Sequence, residues 1–540
     1  FISQFEDELV KIWNKPKFVK NSNYVITLDR IKDNKLIEKI KKHKNYPQQV
    51  KEWEELGIDP NNPKAPIDTK YFKDLELEIL SQFDDLDNSL DGWLIKSENY
   101  QALNTILPKF KEKVQTIYID PPFNKEQDAD YLYNVKYKDS TWISLLENRL
   151  WLAKYLLNDK GSIFVRCDYN GNMYVRMLMN EVFGKENFRN EIVISRVSKQ
   201  DPKVKRFNTS IDSLFFYSKT EDSSFNLLFK KLAKAKTERW HAMDSQGQGQ
   251  PLYIFGYLFN PPKGRHWTYG QENIKQMENE RRIRLKCRKC GYIHISGSWQ
   301  GCPKCKRKDD VKVEYLLAPT EVKQIDSNWT DISGYTSNWN FRTENSEILL
   351  KRAIEASSNQ SDLILDFFLG SGTTTAVAHK LGRKWIGVEM GEHFYTVVLP
   401  RMKKVLAYDK SGISKEVKEY QGGGFFKYYE LEQYEEALNI CKDTYKDSGL
   451  FNSPSKTPYQ EYVFMKDEKM LKALEIDYKN DKVKVDLTKL YPNIDIAETL
   501  SNLTGKWIKK ISDGEVEFED ETKINTKDLD YKLIKPLIWW

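Results

Sequence analysis

The stretch LILDFFLGSGTTTAVAHKLGRKWIGVEM, Leu363 to Met390, decides the fold. An apolar run closes on Asp366, a glycine turn follows at Gly370-Ser371-Gly372, "TTTAVAHKLG" has helical spacing, and "KWIGVE" is a second apolar run ending in Glu389. Strand, turn, helix and strand in that order make a βαβ unit, and hence a parallel sheet. Glu389 follows Asp366 by 23 residues, near the spacing at which the second-strand acid of a nucleoside-binding fold meets ribose hydroxyls. The turn reads G-S-G-T rather than G-x-G-x-x-G, and no Lys follows the glycines, which excludes a P-loop.

A short glycine turn behind an acidic strand end suits a nucleoside that carries no pyrophosphate. S-adenosylmethionine fits it: the glycines let the backbone approach the methionine part, Asp366 lies near the ammonium, and Glu389 takes the ribose.

A second strand ends more strangely. In VQTIYIDPPFN, Val114 to Asn124, four of the first six residues are β-branched and Ile117 and Ile119 alternate with Thr116 and Tyr118. Pro121 and Pro122 then stop further pairing or coiling. A stiff loop at the carboxyl edge of a sheet is where open α/β folds hold ligands. This one carries a carboxylate, Asp120, exposed carbonyls and a flat ring, Phe123.

The same rhythm surrounds it. "GWLIKSENYQALNTIL" reads strand, turn, helix; "WISLLENRLWLAKYLL" is a helix; "GSIFVRCD", "NEIVIS" and "SLFFYS" are strands. Residues 1–90 are charge-rich and expected to be mostly helical, with one strand at "NYVITLDRI". The reading divides the chain into that N-terminal accessory region, a first catalytic part at 91–196, a basic, aromatic insertion at 197–340, a second catalytic part at 341–405, and an α/β tail at 406–540.

The 540 residues exceed one core, with 40% hydrophobic and 30% charged. No apolar run approaches the ~20 residues of a membrane span, and no signal-peptide core opens the chain, so cytoplasm is the expected location. A chain that begins at Phe1 is expected to be processed or a piece of a longer one. From Phe188 to Leu317 there are 26 Lys and Arg against 13 Asp and Glu, a local +13 that leaves −7 for the rest of a chain of net charge +6. A basic middle in an acidic protein points to a polyanion, most simply nucleic acid; lysines that merely solubilise an insertion are the alternative.

Taken together, "DPPF" (Asp120 to Phe123) and "FLGSGT" (Phe368 to Thr373) make the chain resemble the amino-methylating DNA methyltransferases, which carry [D/N/S]-P-P-[Y/F/W] and F-x-G-x-G motifs. The catalytic motif comes first, as in their β group. Further matches are "EVFGKENFRNEIV", "WTDI", "FRTENSEILLKRAI", "GGGFFKYYEL" and "DIAETLSNLTGK". The nearest likeness is to the modification (Mod) subunits of type III restriction–modification systems, over roughly residues 90–540.

The resemblance implies a Rossmann-like, mostly parallel twisted sheet with an inserted target-recognition region. It implies that Asp120 and the Pro121 carbonyl orient an exocyclic amine, that Pro122 stiffens the loop, and that Phe123 stacks a flipped base. Asp at the first motif position implies adenine N6. Asp366, Phe368, Gly370, Ser371, Gly372, Thr373 and Glu389 are the implied cofactor residues. Glu98 is added where the family often has Asp, and Thr343 where its motif supports the methionine part. Double-stranded DNA, a homodimer and a helicase–nuclease restriction subunit are the implied partners. No Walker A motif and no nuclease constellation are evident in this chain. Cys167, ending a buried strand with no preceding Pro, reads as packing rather than as the nucleophile of a cytosine-C5 enzyme.

Within the insertion, Cys287, Cys290, Cys302 and Cys305 form two C-x-x-C knuckles separated by eleven residues, the pattern of a structural zinc ribbon. Two disulfides or free thiols are the alternative, with His294 a minor ligand. Ten Lys and Arg around the knuckles, Arg281 to Lys308, make a surface for phosphates. Trp240, Trp267, Trp299 and Trp329 offer rings that could stack bases but read as core, as does the closing Trp539-Trp540. Against the adenine-N6 reading stand a cytosine-N4 or RNA methyltransferase and a non-catalytic DNA-recognition subunit.

Overall fold

The computed structural model describes residues 16–122, 139–196, 205, 207–336, 339, 341, 343–433, 474–477, 482–485 and 487–538. The chain forms two compact units, residues 1–226 with 326–540, and residues 227–325.

The first unit is built on one sheet of eleven strands. In chain order these are β1 (Val19–Thr27), β2 (Pro66–Asp68), β3 (Gly92–Lys96), β4 (Val114–Ile119), β5 (Leu157–Cys167), β6 (Phe188–Ser195), β7 (Ile211–Ser218), β8 (Asn328–Ser333), β9 (Leu363–Asp366), β10 (Lys384–Glu389) and β11 (Phe425–Leu431). Across the sheet they run β8-β6-β7-β5-β4-β9-β10-β3-β11-β1-β2. The six from β5 to β11 are mutually parallel; β7 and β1 flank them antiparallel.

All residues of β4 and β9 are buried, as expected where helices cover both faces of a parallel sheet. The helices pack in two runs: Asn99–Phe110, Asp139–Leu156 and Asn172–Phe183 in one, Glu347–Ser357, Thr373–Lys380 and Leu399–Leu406 in the other. From β4 the chain moves on to β5, and from β9 to β10 on the opposite side. The boundary between β4 and β9 is therefore a topological switch point, where a crevice opens at the carboxyl ends of an open sheet.

Two regions read as appendages join this sheet. β1 and β2 come from the N-terminal accessory region, and the buried run Tyr24–Thr27 is what makes β1 an inner strand. From the tail, β11 pairs in parallel with β3, Tyr428 opposite Leu94. A buried ionic network fastens the tail. Lys109 Nζ lies 2.8 Å from Asp87 and 2.9 Å from Glu498, and Lys427 Nζ lies 2.7 Å from Asp495 and 2.9 Å from Glu498. Removing one partner from such a cluster strands an uncompensated charge.

The second unit, Leu227–Ile325, is narrower than the insertion expected at 197–340. Strands β7 and β8 fall within that expected span, and their apolar residues extend the main sheet instead. The unit has its own core around Met243, Ile274, Ile283, Leu285 and Trp299. A four-stranded sheet orders Ile293–His294, Ile283–Cys287, Val311–Leu317 and Arg239–Ala242 side by side. It carries 20 Lys and Arg against 9 Asp and Glu. Trp267, Trp299 and Trp329 are buried, while Trp240 is half-buried with the Arg284 guanidinium 4.2 Å from its ring centre.

Candidate active site

Asp120 stands one residue past β4, its side chain 12% exposed. Burial pushes its carboxyl up to about 6, against the pull of Arg166 and of the N–H it accepts from Asn345. Its Oδ2 accepts that N–H from Asn345 Nδ2 at 2.9 Å. Pro121 is buried and Pro122 half-buried. The Trp142 indole Nε1 donates to the Pro122 carbonyl at 2.8 Å, so the helix Asp139–Leu156 grips the loop by its backbone. Phe123 lies outside the described residues.

Asp366 ends β9, the parallel neighbour of β4. Its carboxyl accepts from the Phe368 N–H at 2.9 Å and from the Thr374 hydroxyl at 2.5 Å. Burial nevertheless pushes it up to about 7, with Asp120 and Glu389 adding to the rise. Gly370 (φ +56°) and Gly372 (φ +80°) take the left-handed conformation that turns the chain into the helix Thr373–Lys380. A Cβ on Gly370 would stand in ordinary contact with the Phe341 ring, 3.6 Å from its nearest atom, so that ring walls the cradle of the turn. Ser371 and Thr373 are buried and their hydroxyls lie 3.1 Å apart. Phe368 is half-buried against Phe367.

Glu389 ends β10. One carboxylate oxygen accepts from the Gly370 N–H at 2.8 Å, and the other from Met390 and Gly391, each at 2.9 Å. It thus ties the end of the second strand to the glycine turn.

Glu98 accepts from the Gln101 N–H at 3.0 Å at the start of the helix Asn99–Phe110, and also pairs with Arg149. The next residue, Asn99, donates to the Phe367 carbonyl at 3.0 Å, which brings this helix start to the β9 end. Thr343 is half-buried, two residues before Asn345.

Sequence reasoning missed the groups that support these residues. Arg401 Nη1 donates to the Thr373 hydroxyl at 2.9 Å from beneath the turn, and its Nη2 to Glu347 at 3.0 Å. Arg166 and Asn345 brace Asp120. A charged residue inside the apolar run "IFVRC" was a signal for Arg166; Asn345 and Arg401 gave none. Cys167 is fully buried, and burial raises its thiol far above the ordinary value, the opposite of what a nucleophile needs.

In the second unit the four cysteine Sγ atoms all lie within 4.8 Å of one another. A tetrahedron of Zn–S bonds near 2.3 Å sets them about 3.8 Å apart, so the donor set and its spacing fit a metal. Each knuckle closes with a backbone bond and a left-handed residue. Gly291 N (φ +70°) donates to Cys287 O at 3.0 Å, and Lys306 N (φ +61°) to Cys302 O at 2.8 Å. The basic fringe is partly committed: Arg284 pairs with Glu314 at 2.7 Å and Arg307 with Asp310 at 2.8 Å. Among the described residues no helix is long and apolar enough to cross a membrane.

The model of the DNA methylase family, N6 and N4, matches residues 114–399, more than half of the chain. The chain is 29% identical over 442 residues to the probable type III restriction-modification enzyme HindVI Mod subunit of Haemophilus influenzae, covering 69% of this chain and 58% of that one. It is 28% identical over 318 residues to type II methyltransferase M.EcaI of Enterobacter cloacae, covering 56% and 67%. To the type III StyLTI Mod subunit of Salmonella typhimurium it is 24% identical over 336 residues, covering 52% and 48%. The chain spans between about half and two thirds of the length of these curated relatives.

Proposed function

The chain belongs to the N6/N4 DNA methylase family, and from that we propose that it is a site-specific DNA methyltransferase acting on the N6 amine of adenine. The observation that carries the reading is the convergence of Asp120 and Asp366 at the carboxyl ends of adjacent parallel strands. One serves the amine and the other the cofactor. S-adenosylmethionine, when bound, supplies an electrophilic methyl group on a sulfonium.

The residues do the rest by position. Asp366 meets the cofactor's ammonium, the cradle of Gly370 and Gly372 admits its backbone-like part, and Glu389 takes a ribose hydroxyl. Thr343 and Phe368 line the same crevice, Ser371 and Thr373 hold the turn, and Glu98 fixes the helix start beside it. An adenine amine is a poor nucleophile because its lone pair is delocalised into the ring. Accepting its hydrogens at Asp120 and at the Pro121 carbonyl favours a tetrahedral nitrogen whose lone pair can attack, and Pro122 and Trp142 hold that geometry ready. Phe123 stacks on the flipped base.

In the second unit Cys287, Cys290, Cys302 and Cys305 hold a structural zinc, which folds a basic surface against DNA phosphates. The relatives named as Mod subunits support a role as the modification subunit of a restriction–modification system; a dimer, a separate restriction subunit and a cytoplasmic location go with that reading.

Nucleoside mass spectrometry on duplex DNA incubated with the protein and S-adenosylmethionine tests this. N6-methyladenine is expected, and Asp120→Ala abolishes it while DNA binding persists. N4-methylcytosine would overturn the assignment of the base, and no modified base would overturn the enzyme reading.

A further inference from the structure

Asp120 does not stand alone at the strand end. Asn345 Oδ1 accepts from the Tyr118 hydroxyl at 3.1 Å and from Arg166 Nη1 at 2.5 Å. With its oxygen engaged twice, the amide has only one way to lie, and its Nδ2 faces Asp120 Oδ2 at 2.9 Å. The network itself thus decides the amide's orientation.

Arg166 is fixed just as firmly. Nη1 donates to the Gly334 carbonyl at 2.9 Å, Nη2 to Asp212 Oδ2 at 2.8 Å, and the guanidinium carbon sits 3.8 Å from the centre of the Tyr335 ring. A Cβ at Gly334 would come within 2.6 Å of Nη2, so the bare backbone there makes room for the guanidinium. Among the described residues, none is placed to donate a hydrogen bond to the other carboxylate oxygen, Oδ1.

We propose that Asn345 and Arg166 are positioning residues for Asp120: Asn345 occupies Oδ2, and Arg166, with Nη1 3.9 Å from that oxygen, holds the amide in place, so that Oδ1 alone is presented to the amine as an ionised acceptor. The inference rests on the methyl-transfer reading and specifies how its acid is kept in the state that reaction needs. Protonated, Asp120 would offer the amine a donor and lose its use. The groups facing it are Arg166 from β5 and Asp168 one residue past that strand, Asp212 from β7, Tyr118 from β4, Tyr335, and Asp366 across the switch point. Three of these are acids that oppose its ionisation; Arg166 and the Asn345 N–H favour it.

The test is Asn345→Ala, read in two ways. The first needs no catalysis. The pH dependence of the difference in Tm between the protein and its Asp120→Asn variant reports where Asp120 titrates. Because the folded pKa is raised, the carboxyl's contribution is present below about pH 4 and lost as pH rises through about 6. In the Asn345→Ala background the loss moves to higher pH by about one unit. The second is the pH profile of kcat for methylation. Its acidic limb moves up by the same amount, so kcat falls about eight- to tenfold at and below pH 5.5, about twofold at pH 7 and hardly at all at pH 8.5, while KM for S-adenosylmethionine stays within about twofold.

Asn345→Asp, which sets a like charge beside Asp120, moves both further. An unmoved titration overturns the proposal. So does a moved titration with an unmoved rate profile, or a rate loss equal at every pH, which marks a merely structural role. If the wild-type protein methylates no base, the methyl-transfer reading falls, and the titration still decides whether Asn345 sets the state of Asp120.

Discussion

The Trp142 indole donates to the Pro122 carbonyl at 2.8 Å, so the helix Asp139–Leu156 holds the backbone just past β4. Trp142→Phe keeps most of the buried ring and removes only that bond. A stability loss of about 1 kcal/mol is expected, with kcat down about tenfold and KM for S-adenosylmethionine unchanged. Steady-state kinetics beside a urea unfolding curve separates these effects. An unchanged kcat would show that the two prolines need no support.

Cofactor binding is expected to release a proton. Burial raises Asp366 to about 7, so the empty site is largely protonated at pH 6, whereas pairing with an ammonium requires the carboxylate. Affinity for S-adenosylmethionine rises about tenfold per unit from pH 5.5 toward 7 and then levels. Calorimetry at pH 6 in buffers of different ionisation enthalpy should find most of one proton released. Asp366→Asn binds weakly and without pH dependence. In the ligand-free protein the sign is opposite: the stability that neutral Asp366 contributes is present below about pH 4 and lost as pH rises through about 7.

Metal analysis should find one zinc per chain, bound through the four knuckle cysteines. Cys290→Ser or a chelator is expected to unfold residues 227–325 selectively. Cofactor binding at the sheet unit persists, and DNA binding falls at least tenfold. Proteolysis followed by mass spectrometry reads the loss; equal protection with and without chelator would make the cluster a set of free thiols.

Gly387 lies in β10 where a Cβ would approach Leu369 Cδ2 to 2.6 Å and Thr375 Cγ2 to 2.9 Å. Both neighbours flank the glycine turn. Gly387→Ala is expected to cost about 1–3 kcal/mol through overpacking and to weaken cofactor binding more than DNA binding. Thermal unfolding with and without cofactor checks this.

The centre of the fold was legible because β-branched and apolar runs alternated with helical spacing around two strand ends, Asp120 and Asp366, whose chemistry is local in sequence. The cysteine knuckles were legible for the same reason. The edges of the sheet were not. β1 and β11 lie about 400 residues apart in the chain and pair only in space, and no local pattern announces a strand's partner. Arg166 and Asn345 escaped because each matters through a residue far away in sequence, Asp120 itself for Asn345 and Asp212 for Arg166. The role of Arg401 is likewise a property of tertiary contact.

The switch point between β4 and β9 also dictates when this protein can fold. β4 leaves the ribosome about 240 residues before its neighbour β9 exists, an interval on the order of tens of seconds at ordinary rates of synthesis. Throughout it β4 has one ladder edge unsatisfied, and β3 waits longer still for both β10 and β11. The nascent chain must therefore carry bare, largely apolar strand edges through much of its own translation. Its hazard is intermolecular pairing during synthesis, and soluble yield should track slower growth or chaperone supply more closely than it tracks the stability of the finished fold.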